Sequence, residues 1–161
     1  MKAALCCLST IILLCAAIAQ EKKHSGPQWK EYAYPEDGFS ITAPAAPNIH
    51  TDPEATDVKV YRWDLATDIP FAIHVGVRPN CKDILQQAKD EPPQESLIEI
   101  FLDGYRGIES HAANRKAQRN ELERIYCVKE KAYSLSIQYP LKQTRPAVVD
   151  RVLNSFHLIE K

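Results

Sequence analysis

The chain has 161 residues, 45% of them hydrophobic and 25% charged, with 20 basic and 21 acidic side chains. This is an ordinary globular composition, and its near-neutral balance excludes global attraction to nucleic acid or to an anionic membrane surface. Residues 1–19, MKAALCCLSTIILLCAAIA, stand apart: one lysine, an uncharged apolar run, then Ala17-Ile18-Ala19. That is the layout of a secretory signal with cleavage between Ala19 and Gln20. A retained membrane anchor is the alternative, but it needs about 20 apolar residues and a charged stop after them.

Removing the signal leaves 19 basic and 21 acidic residues, one expected domain at 29–161, and a polar leader at 20–28. Such a chain buries about two-thirds of its unfolded surface and needs no metal to fold. Three cysteines leave with the signal, and Cys81 and Cys127 remain in an oxidising setting. A bridge between them would close a loop of 47 residues and contribute about 4 kcal/mol through chain entropy. Two buried free thiols are the alternative.

In chain order, residues 29–34 alternate as a first strand, and Pro35-Glu36-Asp37-Gly38 supplies a turn. Phe39, Ile41 and Ala43 share one face of a second strand, which Pro44 and Pro47 end. Residues 48–57 read as a polar loop. Val58–Leu65 and Phe71–Val77 form a hairpin; the apolar phase of the first strand switches after Val60, which implies a bulge or burial on both faces. Asn80 is placed to cap a helix through KDILQQAKDE, stopped by Pro92-Pro93. Ile98, Ile100 and Leu102 alternate before an Asp-Gly turn and read as strand, although the segment also carries helix formers. Leu122–Val128 and Tyr133–Tyr139 form a hairpin across KEKA. A last helix opens at Thr144 or Arg145, with Val149, Val152, Leu153 and Phe156 on one stripe. The expected fold is α+β: an antiparallel sheet of hairpins flanked by about two helices.

Three segments, YPEDGFSITAPAAP, LDGYRGIES and RVLNSFHL, together resemble small exported bacterial proteins with a PsbP-like fold. Gly104, Gly107 and Glu109 match the Gly-x-x-Gly-x-Glu element of that group, and Ser155 and Phe156 match its close. The resemblance implies a sheet sandwiched by helices and a non-enzymatic binding or assembly role, with no cofactor.

The residues themselves offer no catalytic motif. His24, His50, His74, His111 and His157 are scattered without metal-ligand spacing, although His74 and His111 could converge if their strands were neighbours. Ser40, Ser134 and Ser136 read as solvent-facing strand residues, and Asp37, Asp52 and Asp103 as turn residues. Arg115, Lys116 and Arg119, with Arg124, form a basic cluster that would suit an anionic partner; the simpler reading is a solvated hairpin tip answered by Glu121 and Glu123. Trp29, Tyr32, Tyr34 and Trp63 fit either a binding groove or the core. The expectation is a secreted or periplasmic, non-catalytic module that binds a protein or envelope component. It would bind no nucleic acid and keep no membrane span after signal removal. The alternative is an envelope hydrolase built from scattered Asp, Glu and His.

Overall fold

Period-two alternation of apolar side chains dominates the structure. A computed structural model describes residues 28–66, 68–77, Gln86, Asp90 and 96–159. Strands β1 (Lys30–Tyr34), β2 (Phe39–Ala43) and β10 (His157–Leu158) form a three-stranded antiparallel sheet in the order β1-β2-β10. The larger sheet has seven antiparallel strands: β3 (Asn48–Thr51), β4 (Val58–Ala66), β5 (Ile69–Val77), β6 (Ser96–Leu102), β7 (Tyr105–Asn114), β8 (Arg119–Val128) and β9 (Lys131–Pro140). Their spatial order is β3-β4-β5-β9-β8-β7-β6.

The core lies between one face of the large sheet and the small sheet with helix α1 (Ala147–Leu153). Phe39, Ile41 and Ala43 meet Tyr61, Trp63, Phe71, Ile73, Leu135 and Ile137 from the large sheet. Val149, Val152 and Leu153 of α1 close it. Burying an aliphatic or aromatic side chain of this kind contributes about 1.5–3 kcal/mol, so the sandwich, more than the short helix α1, carries the stability.

The expected sheet flanked by two helices is corrected. The described residues are mostly strand, in two antiparallel sheets, with one short helix. Part of the reason is local: Asn48–Thr51, read as loop, is an edge strand with all four residues exposed. No hydrophobic alternation marked it, because neither of its faces is buried. Ser96–Leu102 is strand, and after three intervening residues beyond α1 the strand β10 pairs with β2. The helix expected after Asn80 lies outside the described residues except for Gln86 and Asp90, which are helical and joined by an amide–carboxylate hydrogen bond of 3.1 Å.

Smaller differences have equally local causes. Helix α1 starts at Ala147 with Pro146 as its cap residue, and Phe156 enters the core beyond the helix end. The β8–β9 turn is Lys129-Glu130 alone, with Lys129 in the left-handed region at φ 55°. The phase switch in β4 is burial on both faces: Val58 and Val60 are buried opposite Tyr61, Trp63 and Leu65, while the bulge falls later, at Asp64–Ala66. Ser40 is buried, at 5% exposure, and is not a solvent-facing residue.

The segments matched by family resemblance are each explained by packing. Asp103 (φ 50°) and Gly104 (φ 81°) are the two left-handed residues of the β6–β7 turn, the combination a two-residue hairpin loop favours. Gly107 faces Tyr126 across β7–β8, and a Cβ there would sit 2.4 Å from the Ile125 carbonyl oxygen and 2.6 Å from the Tyr126 ring. The Ser155 hydroxyl accepts from the Thr42 amide at 3.0 Å and so ties the end of α1 to β2. Phe156 stacks on Tyr126 with centroids 6.0 Å apart.

Candidate functional site

A groove of about 850 Å³ opens at one end of the core. Three turns and the last strand build it. The β1–β2 turn contributes Gly38, the β6–β7 turn Asp103 and Tyr105, and the β8–β9 turn Val128 to Lys131, with Tyr133 behind it. His157, Leu158 and Ile159 form the remaining wall. They are held there because β10 pairs with β2 and the Ile159 amide donates to the Gly38 carbonyl at 2.9 Å. Apolar Tyr105, Val128, Leu158 and Ile159 lie among exposed polar groups from Asp103, Lys129, Glu130 and His157. A concave, largely apolar surface with a few polar groups is what a ligand or peptide site requires.

The wall beside Gly38 is pinned by a hydrogen-bond network centred on Asp37. Lys59 Nζ donates to Asp37 Oδ2 at 2.8 Å, the Tyr61 hydroxyl donates to the same oxygen, and the Tyr133 hydroxyl donates to the Asp37 carbonyl at 2.8 Å. Burial opposes ionisation of Asp37, but the hydrogen bonds from Lys59 and Tyr61 outweigh it and hold the carboxyl below its ordinary value. Burial and the bond to Asp37 push the Tyr61 phenol up to about 12. The Lys59 ammonium is raised by its bonds to Asp37 and Tyr61. These groups stay in their ordinary charge states at neutral pH, so the network acts as scaffold. Asp37→Asn should cost about 1–2 kcal/mol in urea unfolding, a modest figure because Lys59 is half exposed. A loss below a few tenths of that would show that the network does not brace the turn.

The opposite face of the large sheet carries a second cluster. His50, Asp52, His74, Glu123, Ser134 and Ser136 surround two smaller cavities of about 260 and 330 Å³. Burial lowers the His74 pKa, against the pull of Asp52 and Glu123. The Ser134 hydroxyl donates to the Glu123 carboxylate, so its proton goes to an acid although His74 is its cross-strand neighbour. No group of three or more His, Cys, Asp or Glu among the described residues is arranged to hold a metal.

The sites marked in the sequence scatter. His111 is separated from His74 by β8 and β9 and faces the core side, where its Nε2 lies 3.2 Å from the Tyr139 hydroxyl. Arg115 and Lys116 sit in the exposed β7–β8 turn, and Arg119 Nη1 donates to the Asp68 carbonyl at 2.8 Å. Among the described residues, Glu121 accepts from Asn114 and Glu123 from Ser134. Arg124 leaves the basic cluster altogether for Glu109. Trp63 is core, at 3% exposure, while Trp29, Tyr32 and Tyr34 pack partly buried against it. Cys127 is disulfide-bonded; Cys81, Ala19 and Gln20 lie outside the described residues. The groove residues went unmarked because they come from turns and a two-residue strand, and each is unremarkable alone. The apolar pair Leu158-Ile159 after the last helix was the available signal.

The sequence matches no family model and no curated protein. Among solved structures, the chain is similar to cyanobacterial PsbP (CyanoP) from Synechocystis, at 14% identity and a TM-score of 0.59, covering 84% of this chain and 95% of that one. It is also similar to a protein from Bacteroides thetaiotaomicron, at 17% identity and a TM-score of 0.55, covering 82% of this chain and 49% of the other. The chain therefore has a PsbP-like fold.

Proposed function

We propose that the protein is an exported, non-catalytic binding module of the cell envelope and that the end groove receives its partner. The groove carries this reading: about 850 Å³ of concave surface lined by apolar side chains among a few polar groups, against about 260 and 330 Å³ for the cavities of the opposite face. The PsbP-like fold fits such a module. No helix among the described residues is long and apolar enough to cross a membrane, which is compatible with export.

The test is capture from the envelope fraction with matched surface variants. Leu158→Asp or Tyr105→Ala should reduce partner recovery several-fold, because both side chains line the groove and deleting an interface anchor typically costs more than about 1 kcal/mol. Arg62→Glu, exposed on the opposite face, should leave recovery unchanged. Equal recovery with all three variants would remove the groove from the mechanism.

A further inference from the structure

Strand β6 is an edge that lacks the usual protection. It is seven residues long, it pairs in unbroken register with β7, and it contains neither lysine nor proline. Its other side has no hydrogen-bonded strand among the described residues. Natural edges of this length are blunted by charge, proline or a bulge. Here two large apolar side chains stand open, Ile98 at 52% and Phe101 at 67% exposure. The strand's single charge, Glu99, is answered within the chain by Arg106.

We propose that β6 is a dimerisation edge, pairing antiparallel with β6 of a second copy of this chain about a two-fold axis. The register follows from the hairpin. A two-residue turn makes Leu102 and Tyr105 a hydrogen-bonded pair. Ser96, Ile98, Ile100 and Leu102 therefore direct their backbone groups to β7, and Leu97, Glu99 and Phe101 direct theirs to the open side. Opposed residues of an antiparallel pair share a face, so a residue sits on the axis. With Glu99 there, two carboxylates would oppose each other, which is unfavourable. With Ile100 there, Ile98 meets Leu102 of the second copy, Glu99 meets Phe101, and both exposed apolar side chains are covered. The large sheet's other edge, β3, has four residues, all exposed; a β3–β6 contact would be heterologous and could not close as a two-fold dimer. The two-fold β6 pair is the closed solution.

Sedimentation velocity of the purified protein over a wide concentration range tests this. A monomer–dimer equilibrium is expected, and Ile98→Lys and, separately, Phe101→Lys should each weaken it at least about tenfold with far-UV circular dichroism and melting temperature retained. Both positions are exposed, so the variants should fold. Ile100→Cys should give a covalent dimer on mild oxidation, because side chains facing each other across the axis in a non-hydrogen-bonded pair lie about 4.5–5.5 Å apart at Cβ. A protein that remains monomeric throughout overturns the proposal, as does a dimer that survives both lysine variants. Cross-linking through Leu97→Cys in place of Ile100→Cys overturns the register.

Discussion

Replacing Glu109 with alanine should destabilise the fold by about 3–5 kcal/mol, the range found when one partner of a buried ion pair is removed. The Glu109 side chain is 12% exposed and holds two guanidinium groups: Arg124 Nε donates to Oε2 at 2.6 Å, and Arg145 Nη1 donates to Oε1 at 3.0 Å. Arg145 Nε in turn lies 2.8 Å from Asp150 Oδ1, an ion pair without hydrogen-bond alignment, and is otherwise unpartnered. One carboxylate thus fastens β7, β8 and the segment that leads into α1. Without it, the mostly buried Arg124 would remain as an uncompensated charge.

Burial alone would raise the Glu109 pKa, but the bonds from Arg124 and Arg145 reverse this and hold it below the ordinary value. A carboxyl whose folded pKa is depressed contributes fully above its unfolded value, near pH 4.3, and loses that contribution as pH falls through the folded value. Stability of the wild type should therefore decline below about pH 4.5, and Glu109→Gln should flatten that limb. Denaturant unfolding at a series of pH values reads both effects. An unchanged acid limb in Glu109→Gln would show that the pair contributes little to folding.

Gly107→Ala should cost about 3 kcal/mol, at the upper end of overpacking effects. The new methyl would lie 2.4 Å from the Ile125 carbonyl oxygen and 2.6 Å from a Tyr126 ring carbon. The carbonyl belongs to the backbone of the neighbouring strand, so relief requires separating β7 from β8 or displacing the ring. Displacing it would break the Tyr126–Phe156 stack and reach the core. Gly104→Ala is the internal comparison. Its Cβ would meet nothing within 4 Å, so only the left-handed φ of 81° opposes it, and about 1–2 kcal/mol is expected. Equal losses at the two glycines in chemical unfolding would contradict the packing argument.

Gly104, Gly107 and Glu109 show how much the sequence disclosed. They stood out as a spaced element, and each has a distinct physical role: a turn dihedral, space for an aromatic ring, and an ion-pair hub. Their spacing is a feature of the fold and marks no reactive centre. The arginines could not be assigned in advance, because Arg124 and Arg145 lie 15 and 36 residues from Glu109 along the chain and meet it only through the pairing of β7 with β8 and the position of α1. The groove was less legible still, since its lining comes from four separate segments.

Legible in the residues alone were the hairpins β4–β5 and β8–β9, the Asp103-Gly104 turn and the apolar stripe of α1. Those follow from period-two or helical alternation and from turn residues, information carried within a dozen neighbours. Packing of the whole chain places β9 between β5 and β8, joins β10 to β2, and leaves β3 and β6 as the edges of the large sheet. Backbone hydrogen bonding specifies no partner, so strand order is set by which apolar faces can be buried together, and that is settled only when the whole chain has packed.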